Sequence, residues 1–464
     1  MFRERNSAGK GLKIIIVGCG KVGTTLVEQL SKEGHDITII DKDEDKVASV
    51  AGMFDVMGIV GNGASYSTQI EANIKSTDLI IAVTDSDELN LLCCTVAKRV
   101  GNCAAIARVR TPDYSKEIGY LREKLGLTMI INPEMEAARE AARILCLPSA
   151  LEINSFAHGQ AEMIKFKIPK GNCLDGLSIY NLGKSVTPNV LICAIERDGE
   201  VYIPSGNFVL QADDVISFVA KNSVIRTFFE KIGHKTARVK NTMIVGGGKV
   251  AYYLASQLLQ MGISVKIIER DKSRCEELST LLPKAVIING DGTNEELLKE
   301  EGLDYTESFV PLTGIDEENI LLTLHARQVS NAKLITKINR ITFKNVINSL
   351  DLGSVVYPRY ITSEAIIAYV RAKQNSMDSN IETLYHMFDH RVEAIEFSVD
   401  NESDVTNVPL MELSLKKNLL ISFINRNGKI IIPSGTDSIL VGDTVMIVTT
   451  HTGFNDIRDI LEDK

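Results

Sequence analysis

Proline is scarce in this sequence, and long apolar runs are missing. The chain has 11 Pro and 33 Gly among 464 residues, of which 44% are apolar and 24% charged. This composition excludes a mostly disordered chain and a collagen-like one, and it is typical of a globular protein. Apolar runs such as residues 14–17 and 79–83 are far shorter than the roughly 18 residues that span a bilayer. We therefore expect no direct membrane insertion.

Basic residues are in the minority. The chain has 51 Lys and Arg against 60 Asp and Glu, a net charge of −9, and the excess acid forms no tail. Such a charge disfavours nucleic acid, so we predict no nucleic-acid partner and disfavour a DNA-binding repressor. The first residues are polar and lack the apolar stretch of a secretory signal. They predict a disordered head, residues 1–11, on a cytoplasmic protein.

Cysteine and histidine lack the spacing of metal ligands. None of the eight Cys forms a C-x-x-C pair, and the seven His are scattered. This pattern disfavours a zinc site and a disulfide framework and fits a reducing compartment, so we predict no metal. His386 and His390 stand four residues apart, and we interpret them as surface residues on a helix. The sequence also lacks the G-x-x-x-x-G-K-[ST] phosphate loop and the G-x-S-x-G nucleophile motif.

The chain is a tandem duplication of one unit. Residues 16–22 (IVGCGKV) return as residues 244–250 (IVGGGKV), at a shift of 228. Residues 190–206 align with residues 419–435 at a shift of 229, with nine identities in seventeen positions. Length alone predicts about three domains, but two copies of a two-part unit predict four.

The sequence pattern changes within each unit. In the first part, short apolar runs alternate with helical stretches, which predicts an α/β fold with a doubly wound parallel sheet of the Rossmann type. The runs are residues 13–17, 36–40, 55–59, 79–83, 104–108 and 128–131. The second part is rich in strands and turn signals and predicts a small α+β domain that is mainly β. The predicted domains are residues 12–147 and 238–373 for the Rossmann type and residues 148–234 and 376–464 for the small type.

A glycine-rich turn follows the first predicted strand. Gly18, Gly20 and Gly23 fit the G-x-G-x-x-G motif, between a strand and a helix as the motif requires. The first glycine permits the tight turn, the second lets a pyrophosphate approach, and the third lets helix and strand pack closely. Asp41 ends the second strand, where a carboxylate can bind a ribose diol and favours NAD or an adenosine nucleotide over NADP. These residues predict a nucleotide site.

The second unit predicts a second nucleotide site. It keeps Gly246 and Gly248, has Ala251 in place of the third glycine, and has Glu269 in place of Asp41. Alanine is accepted at the packing position, and glutamate is equally able to bind a ribose. The alternative is that the second domain kept its fold after losing its ligand.

Further polar residues follow the later strands of both units, where an open α/β sheet binds its ligands. In the first unit the predicted nucleotide-binding residues are Gly18, Cys19, Gly20, Lys21, Val22, Gly23, Asp41, Lys42, Asn62, Gly63, Thr84, Asp85 and Arg108. In the second unit they are Gly246, Gly247, Gly248, Lys249, Val250, Glu269, Arg270, Asp291, Gly292, Thr313 and Lys337.

Two of these assignments have structural alternatives. Residues 85–88 also match a helix capping box, with Asp85 as the N-cap and Glu88 at the third helical position. Arg108 could form a surface ion pair, but the repeat keeps a cation at that place as Lys337, which favours a phosphate contact.

Catalysis is not predicted. A nicotinamide dehydrogenase needs a second domain that brings an acid or base to the cofactor. The first small domain offers His158 in a predicted loop, and the second copy has no histidine at the aligned position. We predict no catalytic residues, although an NAD-dependent oxidoreductase acting on a small metabolite stays open as an alternative.

The domain order, the GCGKVG turn, Asp41, the block AVTDSDELN (residues 82–90) and the paired IPSG turns resemble the TrkA family of Trk potassium-uptake regulators. The chain is also similar to the RCK domains that form gating rings beneath potassium channels. The resemblance implies two tandem Rossmann-type RCK domains, each followed by a small RCK C-terminal domain. It also implies binding of NAD(H), and of ATP or ADP in some members, without catalysis.

The same resemblance implies a partner and a location. The family suggests a homotetramer that is peripheral on the inner face of the cell membrane, where it binds a potassium-translocating membrane subunit of the Trk type. We expect nucleotide in the clefts to favour one arrangement of the Rossmann domains and so to gate that subunit.

Overall fold

The computed structural model describes residues 11–115, 117–147, 149–156, 160–186, 190–234, 238–339, 347, 349–375, 380–388 and 391–462. Residues 1–10 of the predicted head, and His158 and His390, lie outside the described residues. The described chain falls into two compact bodies, which differ from the two repeat units. The first extends to Glu136 and includes Pro358–Ile367, and the second contains Ala137–Tyr357 and the chain from Ala368 onward.

The first Rossmann domain contains a parallel six-stranded sheet with the order β3-β2-β1-β4-β5-β6. Its elements are β1 (Lys13–Val17), α1 (Lys21–Lys32), β2 (Asp36–Asp41), α2 (Glu44–Phe54), β3 (Met57–Val60), α3 (Tyr66–Glu71), β4 (Leu79–Ala82), α4 (Asp87–Val100), β5 (Ala104–Arg108), α5 (Pro112–Ser115), α6 (Ile118–Leu125), β6 (Met129–Ile131) and α7 (Pro133–Cys146). Ile14, Ile15 and Ile16 are buried, as expected of a central parallel strand covered on both faces. Val17 is paired with Ile40 and Ala82, so the carboxyl ends of β2, β1 and β4 meet at one edge.

The first small domain is an antiparallel five-stranded sheet with the order β10-β9-β11-β8-β7. Its elements are β7 (Glu152–Phe156), β8 (Ala161–Lys167), α8 (Ile179–Ser185), β9 (Val190–Arg197), β10 (Glu200–Tyr202), β11 (Val215–Lys221) and α9 (Asn222–Lys231). Phe166, Phe218, Phe228 and Phe229 form the centre of its core.

The second Rossmann sheet repeats the order of the first, as β14-β13-β12-β15-β16-β17. Its elements are β12 (Asn241–Val245), α10 (Lys249–Gln260), β13 (Ser264–Glu269), α11 (Lys272–Leu281), β14 (Val286–Asn289), α12 (Glu295–Glu300), β15 (Ser308–Pro311), α13 (Asp316–Val329), β16 (Lys333–Lys337), β17 (Ser354–Val356) and α14 (Pro358–Asn375). The last sheet, β18-β19-β22-β20-β21, repeats the first antiparallel one. Its strands are β18 (Ile381–Met387), β19 (Val392–Ser398), β20 (Leu419–Arg426), β21 (Lys429–Ile431) and β22 (Asp443–Thr449).

This alternation of parallel and antiparallel sheets confirms the predicted fold class. The predicted boundaries between the four domains stay predictions. Among the described residues, no helix has both the length and the apolar character needed to cross a bilayer.

The two antiparallel sheets pack against each other within the second compact body. One buried cluster contains side chains of both sheets, among them Cys193, Val219, Phe423 and Met446. Phe156 and Tyr385, which occupy equivalent positions in the repeat, lie edge to face with their ring centroids 6.2 Å apart. Contact between equivalent residues is the signature of two-fold symmetry. The small domains of one chain therefore associate as two copies of one subunit would.

His386 was assigned wrongly from the sequence. It lies on strand β18, not on a helix, and its register partner on β19 is Glu393. The His386 Nε2 atom is 3.3 Å from Glu393 Oε1, and both side chains are largely buried. Spacing by four residues is compatible with a helix face, but the alternation of a strand decides where this side chain points.

In the described part of each small domain, a partly exposed arginine pairs with a buried aspartate. Arg197 donates from Nε and Nη2 to the two oxygens of Asp214, both at 2.7 Å, and Arg426 binds Asp443 in the same way in the second copy. Asp214 also accepts a hydrogen bond from the Gln211 main chain at 2.8 Å. The pair thus fixes the turn before β11.

We expect Asp214→Asn to lower the free energy of unfolding by about 2–3 kcal/mol, because it leaves the donors of Arg197 without a buried carboxylate. The neighbouring Asp213→Asn is the matched control, because Asp213 pairs only with exposed Lys167 and Lys170 in the described structure and such pairs add little stability. Thermal and urea unfolding of both variants would measure the difference. Equal midpoints for the two variants would contradict the prediction.

Candidate functional site

The glycine-rich turn after β1 has the geometry that a bound pyrophosphate requires. Gly18 has a φ of +107°, in the region that favours glycine. A Cβ atom on Gly23 would lie 1.9 Å from the Gly18 carbonyl oxygen, whereas a Cβ on Gly20 would meet no protein atom within 4 Å. The three glycines therefore supply the turn, the open backbone face and the close helix packing.

Helix α1 begins directly after the open glycine. Gly20 is its N-cap, and no described side chain caps it. The equivalent helix α10 begins in the same way after Gly248, whose added Cβ would also meet nothing within 4 Å. The first turn of such a helix leaves main-chain N–H groups that suit an anion.

Asp41 lies at the end of β2 and is tied to the glycine turn. Its Oδ2 atom accepts a hydrogen bond from the Cys19 main chain at 2.6 Å, and Oδ1 accepts one from Asp43 at 3.1 Å. A carboxylate has about four acceptor positions, so both oxygens can still accept from a ribose diol. The two bonds hold the acid beside the place where the pyrophosphate would lie.

Cys19 itself has a packing role. Its side chain is buried, and this burial, together with the charge of Asp41, raises the pKa of the thiol to about 12. A thiol with such a pKa is not a nucleophile at neutral pH. Val22 and Val250 are also buried, so they can offer a ligand only their main chain, while Lys42 and Arg270 are exposed.

The second unit reproduces this arrangement with two changes. Glu269 Oε2 accepts a hydrogen bond from the Gly247 main chain at 2.6 Å, as Asp41 does from Cys19. Ala251 is fully buried at the third glycine position. Arg274 Nε donates to the Gly247 carbonyl at 2.7 Å, a contact that was not predicted. The repeat offset of 228 places Arg274 opposite Lys46, and this shared cation was the signal that could have revealed it.

The turns after β3 and β14 pass close to the central strand of each sheet. A Cβ on Gly63 would lie 2.3 Å from Val17 Cγ1, and one on Gly292 would lie 2.2 Å from Val245 Cγ1. Asn62 accepts a hydrogen bond from the Ala64 main chain at 3.0 Å. Its counterpart Asp291 accepts from the main chain and hydroxyl of Thr293 at 2.9 and 2.8 Å, and these bonds lower the pKa of Asp291.

Thr84, Asp85 and Arg108 come together at the ends of β4 and β5. Arg108 Nη2 donates to the Thr84 carbonyl at 2.7 Å and lies 3.4 Å from Asp85 Oδ1. Burial of Arg108, and then the nearby charge of Arg110, lower the pKa of its guanidinium. In the second unit Lys337 Nζ donates to the Leu312 carbonyl at 3.0 Å. Both cations therefore lie at the sheet edge, with protein oxygens as partners.

The predicted capping box at α4 is wrong by one residue. The N-cap is Ser86, whose hydroxyl accepts a hydrogen bond from the Leu89 main chain at 3.1 Å. The Asp85 side chain is fully exposed apart from its approach to Arg108. Several polar residues in a row can each serve as a cap, and the direction of the chain leaving β4 decides which one does.

Sequence reasoning missed a buried asparagine that joins two strand ends. Asn90 Oδ1 accepts from the Thr84 main chain at 2.8 Å and from its hydroxyl at 2.7 Å, while Nδ2 donates to the carbonyls of Thr84 and Arg108. Asn319 makes the same three main-chain bonds with Thr313 and Lys337. The signal was present, since the two asparagines stand 229 residues apart and Asn90 ends the block AVTDSDELN.

Comparison with known proteins places this architecture. The TrkA-N domain family matches residues 14–133 and 242–358, and the TrkA-C domain family matches residues 163–233 and 394–462. The chain belongs to the TrkA family. Its two TrkA-N matches cover the two parallel sheets and their glycine-rich turns, and its two TrkA-C matches cover most of the antiparallel sheets.

TrkA relatives match the chain over most of its length. The Trk system potassium uptake protein TrkA homolog 1 of Methanosarcina mazei is 31% identical over 455 residues, covering 96% of this chain and 99% of the relative. The TrkA of Haemophilus influenzae is 30% identical, with 94% and 95% covered. The TrkA homolog of Archaeoglobus fulgidus is 31% identical, with 97% and 100% covered.

Solved structures share the fold at lower identity. The GsuK channel has a TM-score of 0.64 at 16% identity, covering 96% of this chain and 78% of that chain. The GsuK channel bound to NAD has a TM-score of 0.63 at 17% identity, with the same coverage. The crystal structure of the GsuK RCK domain also has a TM-score of 0.63, and 95% of its chain is covered.

Proposed function

We propose that this TrkA-family chain is a cytoplasmic regulatory subunit that binds NAD(H), ATP or ADP and gates a membrane potassium-translocating subunit of the Trk type. The observation that carries the proposal is the presence of an equivalent cleft in each repeat unit. In each unit an open glycine and a helix start lie beside an acid that hydrogen-bonds the glycine turn. The relatives named as Trk potassium uptake proteins supply the transport context.

The geometry favours a ligand with an adenosine and a pyrophosphate. The glycine turn suits the phosphates, and Asp41 or Glu269 suits an unphosphorylated ribose. NAD, NADH, ATP and ADP share these groups. The GsuK channel, whose fold is shared, is described as bound to NAD, which supports NAD(H) as a ligand here. The predicted binding residues of both units form this proposed site.

We propose binding without turnover. Cys19, the thiol in the first glycine turn, is buried, and its raised pKa makes it a poor nucleophile. A group that transfers a proton to or from a bound substrate must lie within hydrogen-bond reach of it. We propose that Asp41 and Glu269 hold the glycine turn and the ribose and transfer no proton.

Regulation requires that nucleotide binds two arrangements of the subunit with different affinity. A difference of a few kcal/mol in binding free energy would change the open population of the partner clearly. We propose that four chains assemble beneath the membrane subunit, so that the change of arrangement caused by nucleotide in each cleft acts on one pore.

Calorimetric titration of the whole chain with NAD, NADH, ATP and ADP tests the proposal. We expect saturable binding at two sites per chain, and nucleotide-dependent potassium flux when the chain is reconstituted with its membrane subunit. No binding at millimolar nucleotide would contradict it. Steady consumption of NADH with a metabolite would support the oxidoreductase alternative instead.

A further inference from the structure

Gln69 is a fully buried polar residue beneath the first cleft. It lies on α3 and has no exposed surface. Its Nε2 atom donates to the Gly63 carbonyl at 2.8 Å and to the Cys93 carbonyl at 2.9 Å. These two acceptors fix the orientation of the amide, because its oxygen would be repelled by both carbonyls. Its Oε1 atom, also buried, has no hydrogen-bond partner among the described residues.

The fold does not require an amide at this position. The repeat offset of 229 places Leu298, on α12, opposite Gln69, and Leu298 is buried as completely. A buried carbonyl oxygen without a partner costs free energy, which an apolar side chain would avoid. The first unit therefore buries an unpaired amide oxygen at a position where the second unit has an apolar side chain.

The segment that Gln69 holds crosses the cleft edge. Residues 61–63 run from the end of β3 past the end of β2, where Gly61 donates to the Asp41 carbonyl at 2.8 Å. Gly63 then packs against Val17 at the end of β1. The side chain of Asp41 suits the ribose and the glycine turn suits the phosphates. The segment therefore borders the adenosine half of the proposed ligand.

We propose that Gln69 is a positioning residue that holds residues 61–63 in place for the adenosine half of a nucleotide in the first cleft. The inference rests on the proposed nucleotide binding and deepens it. Gln69 does not touch the ligand, and its effect passes through the Gly63 carbonyl. The second cleft, with Leu298, lacks this restraint.

The test uses Gln69→Leu, which places the residue of the second unit in the first. The titrations use the full-length chain that also carries Gly248→Ala, so that the measured binding comes from the first cleft. We expect the affinity for AMP, ADP and NAD to fall about three- to tenfold, as the loss of one or two hydrogen bonds predicts. The factor should be the same for all three nucleotides. We also expect the thermal midpoint without ligand to move by no more than about 3 °C in either direction, because the loss of the unpaired Oε1 atom offsets the loss of the two hydrogen bonds. Amide exchange at residues 61–64 should quicken.

Weaker binding with a nearly unchanged midpoint is the outcome that a merely structural residue would not give. Unchanged affinity for all three nucleotides would overturn the proposal. A midpoint lowered by more than about 3 °C together with lost binding would also overturn it, because the amide would then serve the fold. Gln69→Met, which is closer in length to glutamine, repeats the test if the leucine variant does not fold.

Two controls separate this inference from the proposed function. The Gly248→Ala chain with Gln69 intact must bind nucleotide, and its failure to do so would contradict the proposed function itself. Leu298→Gln places an amide in the second unit, where we expect a lower thermal midpoint because the apolar site gains a buried polar group.

Discussion

Gly23→Ala is expected to destabilise the first Rossmann domain by roughly 3 kcal/mol or more, because its new Cβ would overlap a backbone atom. That Cβ would lie 1.9 Å from the Gly18 carbonyl oxygen. Neither atom can rotate away, so helix α1 or the glycine turn must shift. We expect a lower thermal midpoint and loss of nucleotide binding at the first cleft, measured by calorimetric unfolding and titration.

Ala251→Gly is the matched control for this prediction. Ala251 occupies the equivalent position in the second unit, where its methyl group is buried without displacing the turn. A glycine there should cost about 1 kcal/mol, the usual penalty for glycine in a helix. If Gly23→Ala unfolded at the same temperature as the unmodified chain, the close packing of α1 on the turn would be refuted.

Gly20→Ala is expected to leave folding intact and to weaken nucleotide binding at the first cleft by roughly 100-fold or more, about 2.7 kcal/mol. No protein atom lies within 4 Å of a Cβ built on Gly20, so the folded protein has room for the methyl group. The methyl would stand where the pyrophosphate approaches the backbone. Titration with NAD and ADP, beside a thermal melt, measures both effects.

The repeat provides the control for Gly20→Ala. Gly248→Ala should act on the second cleft alone, and the double variant should bind nucleotide roughly 100-fold or more weakly at both clefts while melting like the unmodified chain. Two binding sites that persist in the double variant would show that the ligand does not lie over these glycines. The contrast with Gly23→Ala separates a glycine needed by the ligand from one needed by the fold.

Much of the architecture was predictable because the chain is a tandem duplication. A short apolar run before GCGKVG, and the same run before GGGKV, identify equivalent strands without any structure. Asp41 and Glu269 were found because the motif places an acid at the end of the second strand. The structure confirms that each acid accepts a hydrogen bond from its glycine turn. Their role in binding nucleotide stays a prediction.

The failures share one cause. Ser86 rather than Asp85 caps α4, and His386 lies on a strand facing Glu393. Asn90 joins Thr84 to Arg108, which is 18 residues further along the chain. In each case the outcome depends on the course of the backbone beyond the local pattern. For Ser86 it is the direction of the chain after β4, and for His386 and Asn90 it is the position of a neighbouring strand or loop. Periodicity over a few residues carries no such information.

The sequence by itself determined the duplication, the order of the sheets' elements, and the three separate uses of the glycines, because these follow from local patterns and from the conformational limits of single residues. Only the tertiary structure decided which polar side chains meet at the cleft edge. Gln69 illustrates the difference, since it falls in an ordinary helical stretch of sequence, yet it is buried against Gly63 and Cys93. Such contacts exist only after parallel strands have brought distant loops to one edge, which no spacing along the chain encodes.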